Sequence, residues 1–448
     1  MSDNHLDNSA HWHGFTQMAH YEPIVVHRAE GSWLTTSDGR KLIDGVASLW
    51  CNVHGHGHPA INEAIRLQLD RVAHVTTLGM SCDTTEELAS ELARRSPGDL
   101  SHVFFSSDGS SSVEAAIKMA FQYWQQCAEP RKKKTKYLAL NLAYHGDTTG
   151  AVSLGGIEYF HQLFSPILFA PIRGPLPCTY RLPPDVSPDQ ASDYYASEMN
   201  ALLERHHEEL AAVVMEPLVQ GAAGMITHPP GFLRRVRALC DQYEVLLICD
   251  EVATGFGRTG TLFACDQEGV TPDILCMGKG LTGGYLPMAA TVATKRVYEA
   301  FLAPVEASKQ FFHGHTYAGN PLAAAAALAS LGLFDKEQTL IHAKEQGEYL
   351  REQLEVLKSH PYVGSIRGRG LMVGIELVSN RESKQTFDPS LLIGRRICQA
   401  AMDRGVWIRP LGDVVVLMPP LSIDKPELDI LAHAVIESIG EVTDSLAG

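Results

Sequence analysis

An acid and an amine at the ends of neighbouring apolar runs give this chain its first chemical signal. Asp250 closes the run VLLIC, and Lys279 stands between two glycines just after the run DILCM. If both runs are buried strands of one sheet, the two side chains meet at its carboxyl edge, where open α/β sheets gather their ligands. The segment that follows the lysine, LTGGYLPMAATVAT, is apolar. Such surroundings desolvate an amine, lower its pKa and make it a better nucleophile. A nucleophilic lysine beside a carboxylate is what pyridoxal phosphate requires: the aldehyde forms a Schiff base with the amine, and the ring nitrogen stays protonated next to an anion. The competing reading of Lys279 is a solvated loop residue.

That cofactor also needs an anchor for its phosphate. The stretch SSDGSSSVEAAIKMA follows the run VFFS and turns through Asp108 and Gly109 into a helical pattern. Its serines would cap a helix whose free amides and dipole suit an anion, with simple capping as the alternative. Tyr144 and His145 follow the run KYLAL, again at a carboxyl end. Tyr144 would lie flat against a cofactor ring, or else be a core tyrosine whose hydroxyl finds a backbone partner. In HGHT, residues 313–316, Gly314 and Thr316 precede a helix and offer a second phosphate contact.

Two further patterns invite other chemistry. The stretch ICDEVATGFGRTG, residues 248–260, contains GxGxxG, but a dinucleotide loop needs its first glycine in the turn that ends the strand. Here Glu251 to Thr254 intervene before Gly255. His54, His56 and His58 in VHGHGHP form a candidate zinc cluster, yet the glycines between them and Pro59 suit a turn entering a helix. No cysteine or carboxylate stands at a diagnostic spacing from them, so no metal is expected.

The elements that must position these residues are readable as an alternation. Apolar runs at 103–106, 136–140, 211–216, 245–250, 273–277 and 288–294 are separated by amphipathic stretches such as SSVEAAIKMAFQYW and PGFLRRVRALCDQY. That is the pattern of a mostly parallel sheet covered by helices. The proline-rich connection 165–184 reads as a surface loop. Short strands around the turn SDGR, near 24–46, and glycine-punctuated strands such as GRGLMVGIELV differ from the middle of the chain. We therefore expect an α/β fold with a large domain over 51–335 and a smaller α+β domain built from both ends, 1–50 and 336–448.

Composition limits the partners. The 448 residues are 45% hydrophobic and 20% charged, the balance of a globular protein. A net charge of −15 argues against nucleic acid or an anionic membrane as partner. The basic run RKKKTK, 131–136, reads as a solvated loop. The start MSDNHLDNSA lacks the basic and apolar regions of an export signal, and PLAAAAALASLGLF is too short to span a bilayer. Nine scattered cysteines without CxxC pairs fit a reducing compartment, so a cytoplasmic location is expected.

Taken together, DEVATGFGRTG, GKGLTGG, YHGDT, HGHTYAGNPLA and WHGFTQM resemble the class III aminotransferases of fold type I, from about Trp12 to Pro420. Within that family the likeness is to the branch that aminates 8-amino-7-oxononanoate in biotin biosynthesis. The resemblance implies a homodimer with shared active sites, pyridoxal 5′-phosphate as cofactor, and an amino donor that is S-adenosylmethionine by family default or else lysine. It implies Lys279 as the Schiff-base lysine, Asp250 at the ring nitrogen, and Tyr144 stacked on the ring. Gly109 and Ser110 would hold the phosphate, with Thr316 reaching it across the dimer interface. Arg409, in VWIRPLG, would hold a substrate carboxylate, for which a guanidinium is suited by its two parallel bonds. Phe15, Trp50, Gly314 and Arg258 would face the substrate.

The chain departs from the better-known branch at Phe15, where a tyrosine is usual, at Leu49, where a second tryptophan is usual, and at Val416, where a tyrosine is usual. These departures leave substrate choice more open than cofactor choice. The alternatives are another class III enzyme acting on an ω-amino acid or diamine and, from a different class, a nucleotide-dependent dehydrogenase, which the misplaced glycines disfavour.

Overall fold

The apolar runs assemble into one seven-stranded sheet in the spatial order Leu100–Ser106, Ala289–Thr294, Ile274–Met277, Leu246–Asp250, Leu210–Met215, Lys136–Leu140 and Ile172–Gly174. This is a computed structural model, and it describes residues 10–446, so most of the polar start MSDNHLDNSA lies outside the described residues. Only Ala289–Thr294 runs antiparallel to its neighbours; the other strands are mutually parallel. The central strands 210–215, 246–250 and 274–277 are buried at every position. Helices cover both faces of such a sheet, which is why these strands read as unbroken apolar runs.

Two details differ from the sequence reading. Within the proline-rich connection 165–184, Ile172–Gly174 forms the edge strand, pairing with Leu138 to Leu140. Prolines flank that short element and conceal it, but they suit a sheet edge, where one side of the backbone needs no ladder. The run RKKKTK is not solvated throughout. Lys134 is 1% exposed, its Nζ donates to the Leu210 carbonyl at 3.1 Å, and it stands 4.7 Å from the centre of the Trp124 ring.

The ends of the chain meet in a second sheet. Val26–Glu30, Trp33–Thr36 and Lys41–Asp44 form an antiparallel ribbon around the turn SDGR, and Val406–Trp407 adds to it in parallel. The register sets Trp407 opposite Asp44. A third sheet joins Val363–Arg369, Met372–Leu377, Val414–Leu417 and Arg409–Leu411, all antiparallel. Helix Ile393–Asp403 packs beside it, and helix Lys425–Asp444 packs in turn on that helix.

Two helices carry local signals that explain where they start. Asp108 caps Gly109–Gln126 by accepting the Ser111 amide at 3.0 Å, so the cap is the aspartate and not the serines after it. Asn320 caps Pro321–Lys336 by accepting from Leu322 and Ala323, with Pro321 pre-set at the first helical position. This alanine-rich helix is largely buried, and among the described residues no helix is long and apolar enough to cross a membrane.

Candidate active site

Register brings the carboxyl ends together. Asp250 is paired with Cys276, and Lys279 follows Met277 by one glycine, so acid and amine occupy adjacent strand ends. Asp250 is 4% exposed. Its Oδ2 lies 2.7 Å from His145 Nδ1, and its Oδ1 accepts the Val252 amide at 3.0 Å. The carboxyl group is thereby fixed in direction by an imidazole from the loop after Lys136–Leu140, two strands away in the sheet. His145 itself is buried, and its Nε2 has no partner among the described residues.

Lys279 adopts a left-handed φ of 39° at the start of a short 3₁₀ turn. Its Nζ stands 5.5 Å from the centre of the Trp50 ring. Desolvation pulls the amine below its ordinary pKa, against the opposing charges of Asp250 and Glu216. That is the environment expected of a nucleophilic lysine.

The loop after Lys136–Leu140 ties the other elements to this centre. The Tyr144 hydroxyl donates to Asp147 Oδ2 at 2.7 Å, and the Asp147 amide donates to Ser110 Oγ at 3.1 Å. Burial, and then the Asp147 hydrogen bond, push the Tyr144 phenol above its usual range. Glu216 sits beneath this loop, accepting from the Gly221 amide at 2.9 Å and from the Tyr144 amide at 3.4 Å. Burial raises its carboxyl to about 7. Close packing brings the helix start in as well: a side chain at Gly109 would meet Val252 at 2.5 Å. Asp108 occupies the Ser111 amide, so the amides of Gly109 and Ser110 are the ones its cap does not use.

The loop ICDEVATGFGRTG has a structural explanation. Glu251, fully buried, accepts from the amides of Ala264 and Cys265 at 2.7 and 2.8 Å and from Thr254 Oγ1 at 3.1 Å. It folds the loop onto itself, and Gly257, at φ 87°, passes Leu421 so closely that a side chain would lie 2.6 Å from it. Arg258 on this loop departs from expectation. It is 1% exposed and its two terminal nitrogens donate to the carbonyls of Asn52 and Pro419. Burial brings its pKa down to about 10. Its guanidinium ties these two segments together through backbone carbonyls, and its Nε is buried with no partner among the described residues.

Sequence-selected residues on the substrate side are more dispersed. Arg409 is exposed on the edge strand, opposite Val416, and lines a cleft of about 600 Å³ with His13, Tyr21, Ser48, His56 and Trp407. Phe15 is exposed, with its ring against Phe160 at 5.4 Å, and Phe160 in turn lies 6.4 Å from Tyr144. Gly314 and Thr316 are exposed in a segment whose His315 Nδ1 comes within 3.2 Å of Ser107 Oγ. The three histidines of VHGHGHP turn to separate partners: His54 to Ser330, His56 to Asp44, and His58 to Glu337.

The donor set fits a pyridine cofactor bearing an aldehyde and a phosphate. Lys279 would hold the aldehyde carbon, Asp250 the ring nitrogen, and Gly109 and Ser110 the phosphate. Glu216 and Gly221 carry no signal in the sequence, because a buried carboxylate and a loop glycine have no spacing signature, while Asp147 lies within YHGDT without a role of its own being readable there.

Comparison with known proteins bears on the same centre. Residues 16–439 match the family model described as aminotransferase class-III. The chain is 51% identical over 442 residues to the adenosylmethionine-8-amino-7-oxononanoate aminotransferase of Nitratidesulfovibrio vulgaris, covering 98% of this chain and 82% of that one. It is 47% identical to the protein of the same name from Geobacter sulfurreducens, covering 96% of each. Among solved structures, the Methanocaldococcus jannaschii protein of that name superposes with a TM-score of 0.90 at 41% identity, covering 96% of this chain and 97% of the other. A thermostable (S)-enantioselective omega-transaminase from Thermomicrobium roseum superposes at 0.92 with 37% identity, covering 96% of each.

Proposed function

The chain belongs to the class III aminotransferases, which work with pyridoxal phosphate, and on that premise we propose that it transfers an amino group to 8-amino-7-oxononanoate, yielding 7,8-diaminononanoate for biotin biosynthesis. The observation that carries this reading is the 51% identity, over 98% of the chain, to a relative named for that acceptor. When bound, the cofactor supplies an aldehyde carbon for the amino group and a protonated ring that takes up electron density.

The residues divide the remaining work. Asp250, aimed by His145 and the Val252 amide, holds the proton on the ring nitrogen. Lys279 would hold the cofactor's aldehyde carbon and would move a proton between substrate and cofactor carbons, with an amine whose pKa desolvation lowers. Tyr144 would pack against the ring, and Asp147 links that tyrosine to Ser110, which would hold the phosphate. Arg409, exposed on the cleft, meets the carboxylate of the acceptor.

We read residues 51–335 as the cofactor-binding domain, the working form as a cytoplasmic homodimer, and Thr316 as the residue offered to the partner's phosphate. Exposed Leu78, Met80, Phe312 and Tyr317 around that segment support an interface there. The donor named by the relatives is adenosylmethionine. Lysine is a close alternative, because Phe15 has no hydroxyl and Leu49 no indole with which to contact a nucleoside.

The T. roseum likeness favours one second reading, an ω-transaminase acting on simple amines. Incubating purified holoenzyme and 8-amino-7-oxononanoate with adenosylmethionine, lysine or a simple amine in turn separates these readings by mass spectrometry of the product. Diamine formed with adenosylmethionine or lysine is expected. Turnover of simple amines and ketones with none of the acceptor would move the enzyme to the second reading.

A further inference from the structure

Residues Ala47, Ser48, Leu49 and Trp50 have φ values of 47°, 49°, 77° and 72°, a single turn of left-handed helix made without glycine. Each such residue costs roughly 1–2 kcal/mol relative to its ordinary conformation, so the turn needs something to hold it. The turn's own amides return to Val46 and Ala47 carbonyls, at 2.7 Å for Trp50 and 3.0 Å for Cys51. The side-chain support comes from Asp44. This carboxyl group is 0% exposed and accepts the Ser48 amide at 2.9 Å, the Ser48 hydroxyl at 2.8 Å and His56 Nε2 at 2.9 Å.

The turn points at the active site. Trp50 puts its ring beside Lys279, with Gly221 so close that a side chain there would reach the ring at 3.3 Å. Ser48 and His56 line the same cleft as Arg409, and Asp44 is paired in register with Trp407, two residues before that arginine. One buried carboxyl group thus holds both the turn and His56 of the cleft wall, from a strand whose parallel neighbour leads to Arg409.

We propose that Asp44 is a positioning residue: by fixing the left-handed turn Ala47–Trp50 it sets the Trp50 ring against Lys279 and shapes the substrate side of the site. The proposal rests on the reading of Lys279 and the cleft given above. Asp44 makes no contact with substrate and acts through Trp50.

Two measurements on Asp44→Asn test it. In protein labelled with 5-fluorotryptophan, the Trp50 resonance is identified by its loss in Trp50→Phe; Asp44→Asn is expected to shift or broaden that signal and leave the Trp124 signal in place. With holoenzyme and the proposed substrates, kcat/KM for the acceptor is expected to fall about 10- to 100-fold, as when hydrogen bonds to a charged group are lost, mainly through KM. In a Trp50→Ala background the same substitution should cost less than about 3-fold, since residues that act through one another are not additive. If Asp44→Asn does not fold, Ser48→Ala removes one of the same bonds and should move the Trp50 signal in the same way. An unmoved Trp50 resonance, or a full loss repeated in the Trp50→Ala background, overturns the positioning role. The fluorine signal reads the turn whatever the substrate is, whereas a wild-type enzyme inert towards the acceptor counts against the proposed function alone.

Discussion

Asp250 and His145 meet at 2.7 Å, Oδ2 to Nδ1, with the other carboxyl oxygen taken by the Val252 amide. Both carboxyl oxygens of the acid are therefore oriented by the protein itself, and the pair belongs to two different strand ends brought together by the sheet. A carboxyl group held this way favours a protonated ring nitrogen by charge, a role its amide counterpart cannot fill.

Asp250→Asn is accordingly expected to keep the cofactor, seen in its visible absorption, and to lose turnover by about 100-fold or more, a loss of roughly 2.7 kcal/mol in transition-state stabilisation. Steady-state kinetics alongside the absorption spectrum check this. Unaltered kcat would remove Asp250 from the chemistry.

Arg258 separates a strut from a substrate contact. Replacing it with alanine leaves the Asn52 and Pro419 carbonyls without their donor and opens a void, so a destabilisation of about 2–5 kcal/mol is expected. Arg258→Lys keeps the charge but loses the fork and should recover only part of it. Thermal unfolding of both variants measures the effect. A substrate-binding arginine would instead raise KM with little change in the melting temperature.

Glu216 makes a prediction in pH. Its carboxyl is raised to about 7 by burial, so between about pH 4.5 and 7 the folded chain holds a proton that the unfolded chain has released. Stability must then fall as pH rises through that window and level off above it. The full contribution is of order 3 kcal/mol, from about 1.4 kcal/mol for each pH unit. Glu216→Gln, which cannot ionise, should lack this slope. Denaturant unfolding of both proteins at pH 5, 6, 7 and 8 gives the comparison, and a difference in stability that stays constant across the range would contradict the assignment.

Much of this centre was legible in the sequence, for physical reasons. Strands buried on both faces have to be continuous apolar runs, so 246–250 and 274–277 declared themselves, and with them the carboxyl edge that carries Asp250 and Lys279. Other features were hidden because sequence does not say which way a polar group turns. Arg258 reads the same whether its guanidinium faces a pocket or two carbonyls, and Lys134 sits in a basic run yet is buried against Trp124. The left-handed turn at 47–50 contains no glycine to announce it, since its conformation is imposed by Asp44 through the tertiary structure.

The central claim is that Lys279 is the amine that carries the cofactor, and covalent trapping tests it most directly. Holoenzyme reduced with borohydride, digested and analysed by mass spectrometry should carry one pyridoxyl group on Lys279. The same treatment of Lys279→Ala should yield no such adduct, with activity lost. Cofactor capture by the apoprotein should also begin at a pH below an ordinary lysine's, because the neutral amine reacts and desolvation lowers its pKa. A pyridoxyl group on another lysine, or an alanine variant that still turns over at the wild-type rate, would contradict the account.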